Sequence, residues 1–182
     1  MAGIIALGVT AVVVLWVIAV YNGLIKLRIL CDNSWADIDV HLKKRHDLIP
    51  NIVNTVKGYA SHESDTLEKV IQARNAAVGA SGSEQQIDAE NALSSLIPKI
   101  FALSESYPDL KANTNFLDLQ NNLKAIEDDL GQARRYYNAV VRDFNTKQQV
   151  FPSNMVAGML SFKTRKFFEV EEAAKEVPKV EF

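Results

Sequence analysis

The sequence is poor in the residues that break, staple or specialise a chain. It holds one cysteine, five prolines and eight glycines in 182 residues. A lone thiol, Cys31, excludes an intrachain disulfide and a cysteine-built zinc site. So few prolines and glycines leave long stretches free for regular elements. An excess of either charge is also missing, since 20 basic residues face 22 acidic ones. That balance argues against the basic stripe of a nucleic-acid binder, and no nucleic-acid partner is expected. Aromatic residues make up 8%, and β-branched residues do not gather in alternating runs. The composition therefore points to an all-α chain.

Catalytic patterns are lacking as well. There is no glycine-rich phosphate loop and no nucleophile elbow. His62 and Glu63 are adjacent, so on a helix they point about 100° apart. A zincin would need a second histidine four residues after His62, where Thr66 stands. His41 and His46, five apart, share a face poorly. Di-metal bundles use inward glutamates with Glu-x-x-His pairs, and this sequence has no such pair. Glu127, Asp128 and Asp129 are consecutive and read as a solvated face. The expectation is a protein that is not an enzyme and has neither metal nor cofactor.

What is present begins at the N-terminus. "MAGIIALGVTAVVVLWVIAVYNGLI" carries no charged side chain from Met1 to Ile25. About 20 apolar residues in a helix cross a bilayer, and the apolar heart here runs from Ile4 through Val20 to Tyr21. Trp16 and Tyr21 lie toward one end, where amphipathic rings favour the interface. A cleaved signal peptide would need a basic start and a small-residue cleavage site; an uncleaved anchor fits better. Lys26, Arg28, Lys43, Lys44 and Arg45 all follow the span, and positive charge stays inside. The predicted topology is a single pass of the membrane, N-terminus outside, with residues 26–182 cytoplasmic.

Helical periodicity fills most of the rest. Leu24, Leu27, Cys31, Trp35, Ile38 and Leu42 recur at steps of three and four, lining one face. This first soluble helix continues the span, with Gly23 a weak candidate hinge. The pattern goes on through Ile49, Ile52, Val53 and Val56 despite Pro50. A proline inside a helix costs about 3 kcal/mol but suits the first helical position, and Asp47 could cap a helix starting there. The spacing thus predicts a tight turn at 46–49 and a helix from Pro50 to Val78, with a kinked continuous helix as the alternative. "LIPNIVNTVKGY" (48–59) and "LIPKIFALSESY" (96–107) echo one another. That echo is either chance or two helices that tolerate proline at the same layer. "GASGSEQQ" (79–86) reads as a linker. A third helix carries Ile87, Leu93, Ile97 and Ile100 and stops before "YPDLKAN". A fourth carries Phe116, Leu123, Leu130, Tyr137 and Phe144, the seam of a bundle or coiled coil. "FPSN" (151–154) ends it. The organisation expected is an anchor at 1–25, a helical bundle at 26–152, and a short helix with an acidic tail at 153–182.

Polarity beside these seams is the remaining signal. "KKRHD" is dense in charge. "ARRYYN" (133–138) puts Arg134, Arg135, Tyr136, Tyr137 and Asn138 within a turn and a half of helix. Arginine with tyrosine suits bidentate and stacked contacts, within the chain or with another one.

Three blocks in order, "WADIDVHLKKRHDLIPNIVNTVKGYASHE", "YPDLKANTNFLDLQNNL" and "ARRYYNAVVRDFN" followed by "FPSN", resemble the LemA family over nearly the whole chain. The resemblance implies a bacterial single-span membrane protein with an elongated antiparallel four-helix bundle in the cytoplasm and no enzymatic activity. It implies roles in membrane organisation or the envelope. By position, the family's signature falls on Asp39, Arg45, Pro50, Asn51, Lys57, Gly58, Tyr59, His62 and Glu63, and later on Arg135, Tyr137, Asn138, Phe151 and Pro152. Gly58 would admit a close neighbour, and Lys57, Tyr59, His62 and Glu63 would form a polar contact surface. Two readings follow. One is a scaffold that self-associates in the bilayer plane. The other is an adaptor for a membrane protein such as a protease or sensor kinase, docking through "FKTRKFF" and the acidic tail at Glu169, Glu171, Glu172 and Glu176.

Overall fold

A computed structural model describes residues 1–168. Among them the chain is all helical, with no strand. The helices are α1 (Ala2–Lys57), α2 (Ser64–Gly79), α3 (Ser83–Glu105), the single turn α4 (Pro108–Lys111), α5 (Thr114–Gln149) and α6 (Ser153–Met159), with a 3₁₀ turn at Ser61–Glu63. The chain forms two compact units. One comprises Met1–Ile38 with Ala133–Phe167, and the other Asp39–Gln132 with Phe168. The acidic tail lies outside the described residues.

The second unit has a continuous apolar core. Ile49, Ile52, Val53 and Val56 of α1 meet Leu67 and Val70 of α2, Leu93, Ile97 and Ile100 of α3, Leu110 of α4, and Phe116 and Leu123 of α5. These are the residues whose three-and-four spacing marks one face of each helix. The turn expected at 46–49 is absent, because α1 runs unbroken through Pro50. Two facts explain this. The apolar register does not slip, so Ile49 and Ile52 are both fully buried on one face. The carbonyl that Pro50 leaves without its helical donor is that of His46, four residues back, and Arg74 Nε of α2 donates to it at 3.1 Å. The replaced bond removes much of the penalty for a buried, unsatisfied carbonyl. Pro98 likewise sits inside α3, so both prolines of the echoed segments are helix-interior.

The helix expected over 50–78 is divided instead at Gly58 to Ala60. Tyr59 and Ala60 both donate backbone hydrogen bonds to Val56 O, at 3.0 and 2.8 Å, and the chain turns into the 3₁₀ segment. Gly58 admits no close neighbour: a Cβ there would meet only the carbonyl of Thr55, at 3.4 Å. Between α2 and α3, Gly82 takes φ +84°, a conformation that glycine adopts without steric cost. Asn113 caps α5, its Oδ1 accepting the Phe116 amide at 3.0 Å.

The first unit is built on α1 and the second half of α5. Leu24, Cys31 and Ile38 of α1 and Tyr137, Val140, Val141 and Phe144 of α5 are among its buried apolar residues. Trp35 meets Tyr137 edge-on, with ring centroids 5.3 Å apart. α1 passes through Gly23 without a hinge. Here a Cβ would run into the side chain of Lys147, so the close approach expected at Gly58 occurs at Gly23. The "FKTRKFF" segment is pinned along its length. Phe162 packs edge-on against Tyr21 and Phe144. Asn145 brackets Arg165, accepting its amide and donating to its carbonyl, each at 2.9 Å. Tyr137 Oη donates to the Lys166 carbonyl at 3.2 Å.

Candidate functional site

The polar residues of the second unit converge on Arg45. α1 places it one helical step after Ile38 and Leu42 and before Ile49, so the apolar face itself carries it inward. It is fully buried. One terminal nitrogen bonds the carboxylate of Glu90, itself fully buried on α3. The other donates to Ser94 Oγ at 2.9 Å and to Glu127 Oε1 of α5 at 2.8 Å. His46 Nε2 lies 2.7 Å from the second oxygen of Glu90. One guanidinium thus joins three helices, and the Glu90 carboxylate accepts from Arg45 through one oxygen while the other lies in close contact with His46 without a hydrogen bond.

The electrostatics follow from that geometry. Burial by itself would raise Glu90; the close contact with His46 and the charge of Arg45 outweigh it and hold the carboxyl below its ordinary 4.5. Asp39, at the edge of the cluster, accepts from Gln86 Nε2 at 3.0 Å. Burial and the nearby Glu90 charge push its carboxyl upward, and the Gln86 bond only partly offsets them. Burial also raises the Cys31 thiol, with Arg165 opposing.

The other signature positions separate into surface and seam. Asn51, Lys57, Gly58 and His62 are exposed, and Glu63 is half-buried. Tyr59 Oη accepts from Asn113 Nδ2 at 2.8 Å, tying the Gly58 turn to the cap of α5. Tyr137 is in the seam of the first unit, while Arg135, Phe151 and Pro152 are exposed and Asn138 is half-buried. Lys57 also borders a groove of about 520 Å³ lined by Val53, Ala60, Leu67 and Ile71, with Glu68 at its edge. Among the described residues no group of three or more His, Cys, Asp or Glu is placed to hold a metal ion.

The residues missed from sequence are Glu90, Arg74, Ser94 and Asn113, while Glu127, expected on a solvated face, is half-buried and accepts from Arg45. Glu90 had a readable signal: it falls on the apolar face of α3, between Ile87 and Leu93, where a lone carboxylate demands a cation. Arg45 sends the same signal on α1.

The LemA family model matches residues 34–182. The chain belongs to the LemA family. The match takes in every residue of the Arg45 cluster and begins after the apolar N-terminal stretch. Protein LemA of Metamycoplasma hominis is 26% identical over 141 residues, covering 77% of this chain and 64% of that protein. The match therefore takes in Tyr137 of the first unit as well as the buried cluster of the second, and leaves out Leu24 and Cys31.

Proposed function

We propose that the protein is a non-enzymatic membrane scaffold. Its apolar N-terminal segment spans the inner membrane once, with the N-terminus outside, and its cytoplasmic helices form an antiparallel four-helix bundle that self-associates. The observation that carries this reading is the engagement of Arg45, Glu90 and His46 with one another. The charged groups that a reaction would need are occupied in joining α1, α3 and α5, and the exposed signature residues are left as surface. Among the described residues one helix, α1, is long and apolar enough to cross a membrane, and none of its most apolar stretch is buried. Copies fixed in one plane meet at high effective concentration, so weak side contacts are enough to assemble them. The Lys57, Tyr59 and His62 surface and the Arg135 surface are the contacts we assign to this assembly.

The test is the particle mass of the full-length protein gently solubilised from its own membrane. A large homogeneous particle containing only this chain supports the scaffold. A monomer at every concentration overturns it. The groove beside Lys57 favours a second reading, an adaptor that receives a segment of a membrane partner. A small particle carrying a stoichiometric foreign protein would support that reading. Deleting residues 169–182 then asks whether the acidic tail recruits the partner, without disturbing the pinned segment before it.

A further inference from the structure

The end of the first unit exposes apolar side chains where a soluble surface would place polar ones. Val150, Phe151, Met155, Met159 and Leu160 all lie within eleven residues at the end of α5 and along α6. Phe151 is 79% exposed and Met159 85%. Inward contacts are left to Ser153, Val156 and Ala157, so α6 is fixed by its small face and presents its large one. Scattered exposed apolar residues need no explanation, but a contiguous set marks a contact surface.

Two contacts fix the level of this tip along α1. Lys147, near the end of α5, lies against Gly23. Phe162, just after α6, packs on Tyr21 with ring centroids 6.3 Å apart. The tip is therefore beside the inner end of the apolar stretch, where Tyr21 is itself exposed. Basic groups gather at the same level. Arg28 lies 6.0 Å from the Phe162 ring centre. With Lys163 and Arg165, it lines a pocket of about 520 Å³ that also includes Tyr21 and Leu160. Asp32 neutralises Arg165, at 2.6 Å, which leaves Arg28 and Lys163 as the exposed charges. Rings and apolar side chains at the acyl boundary, with lysine and arginine just behind them, are the pattern of an element lying in a lipid interface.

We propose that the α5–α6 tip is a second membrane contact. Phe151, Met155, Met159 and Leu160 enter the acyl boundary of the leaflet that Tyr21 reaches, and Arg28, Lys147 and Lys163 face its phosphate groups. The inference rests on the membrane-anchor reading above. It adds that the first unit is held against the bilayer by its tip as well as by α1. Phospholipid is the occupant that fits both the apolar tip and the basic rim.

The experiment uses the full-length protein in bilayers of mixed zwitterionic and anionic phospholipid, with and without brominated acyl chains. An environment-sensitive dye is placed singly through Val12→Cys, Met155→Cys or Tyr136→Cys, all exposed positions. The unsubstituted chain, with Cys31 buried, reports background labelling. Bromolipid should quench the dye at 155 as it does at 12, and should leave the dye at 136 bright. Quenching at 12 without quenching at 155 overturns the tip contact and leaves the anchor standing. No quenching at 12 overturns the anchor, and the tip contact with it. Equal quenching at 136 and 155 also overturns the proposal, because the contact would then not belong to the tip.

Discussion

The second unit buries charge, whereas the first buries rings and hydrogen-bonded amides. In the second, Arg45 and Glu90 are wholly withdrawn from water and each depends on the other. In the first, Tyr137 and Asn145 present neutral polar atoms to the backbone of the segment at Arg165 and Lys166. Desolvating an ion costs several kcal/mol and desolvating an amide far less. The two solutions should therefore fail differently, one sharply and one gradually.

The largest effect is expected at the ion cluster. Glu90→Leu strands a buried guanidinium and should lower stability by about 3–5 kcal/mol. Arg45→Met should cost a similar amount by stranding the carboxylate. The combined variant should be more stable than either single one, since apolar replacement of a whole pair is often close to neutral. Thermal unfolding of the full-length protein in detergent checks all three. A double variant as unstable as the sum of the singles would show that the cluster is not a pair but two independent anchors.

Acid should separate the units next. Glu90 is held below its ordinary 4.5 in the fold. Its contribution is therefore complete above that value and is lost as pH falls through the lower folded one. Asp39 is raised in the fold, so it opposes: its contribution declines as pH rises from its ordinary 3.8 toward the raised value. The difference between the parent and Glu90→Gln isolates the first term, and it should shrink on acidification. A constant difference down to the acid transition would remove the assigned cause.

In the first unit, Asn145→Ala deletes both bonds that bracket Arg165. About 1–3 kcal/mol is expected, the usual cost of orphaned polar groups. Local hydrogen exchange at the Arg165 amide should rise before the rest of the unit is affected. Global unfolding in step with that amide would instead make the bracket part of the core.

The same contrast governs how much could be read from the sequence. The first unit was legible, because its face from Leu24 to Ile38 and its partner from Tyr137 to Phe144 follow plain helical spacing. In the second, spacing located the core but not its polar centre. "KKRHD" looks like a solvated charge run, although only Lys43, Lys44 and Asp47 of it are exposed. The pairing of Arg45 with Glu90 spans 45 residues, and no local pattern names a partner at that distance. Pro50 departs from its local expectation for a related reason. Proline propensity is local, while the donor that compensates it arrives from α2, 28 residues away from His46.

The smallest expected effect tests that compensation directly. Arg74→Ala removes the donor to the His46 carbonyl and should cost about 1 kcal/mol in the parent chain. Pro50→Ala restores the missing helical amide, so His46 regains a donor within α1. Arg74→Ala should then cost much less in the Pro50→Ala background. The double-mutant cycle reads this as a coupling between positions 50 and 74 that share no side-chain bond. Equal costs in the two backgrounds would mean that Arg74 acts through its other contact, Asn75 at 3.2 Å, and that α1 tolerates Pro50 through packing alone. A positive coupling would place the second unit's tolerance for proline in the same network of cations and acceptors that buries Arg45.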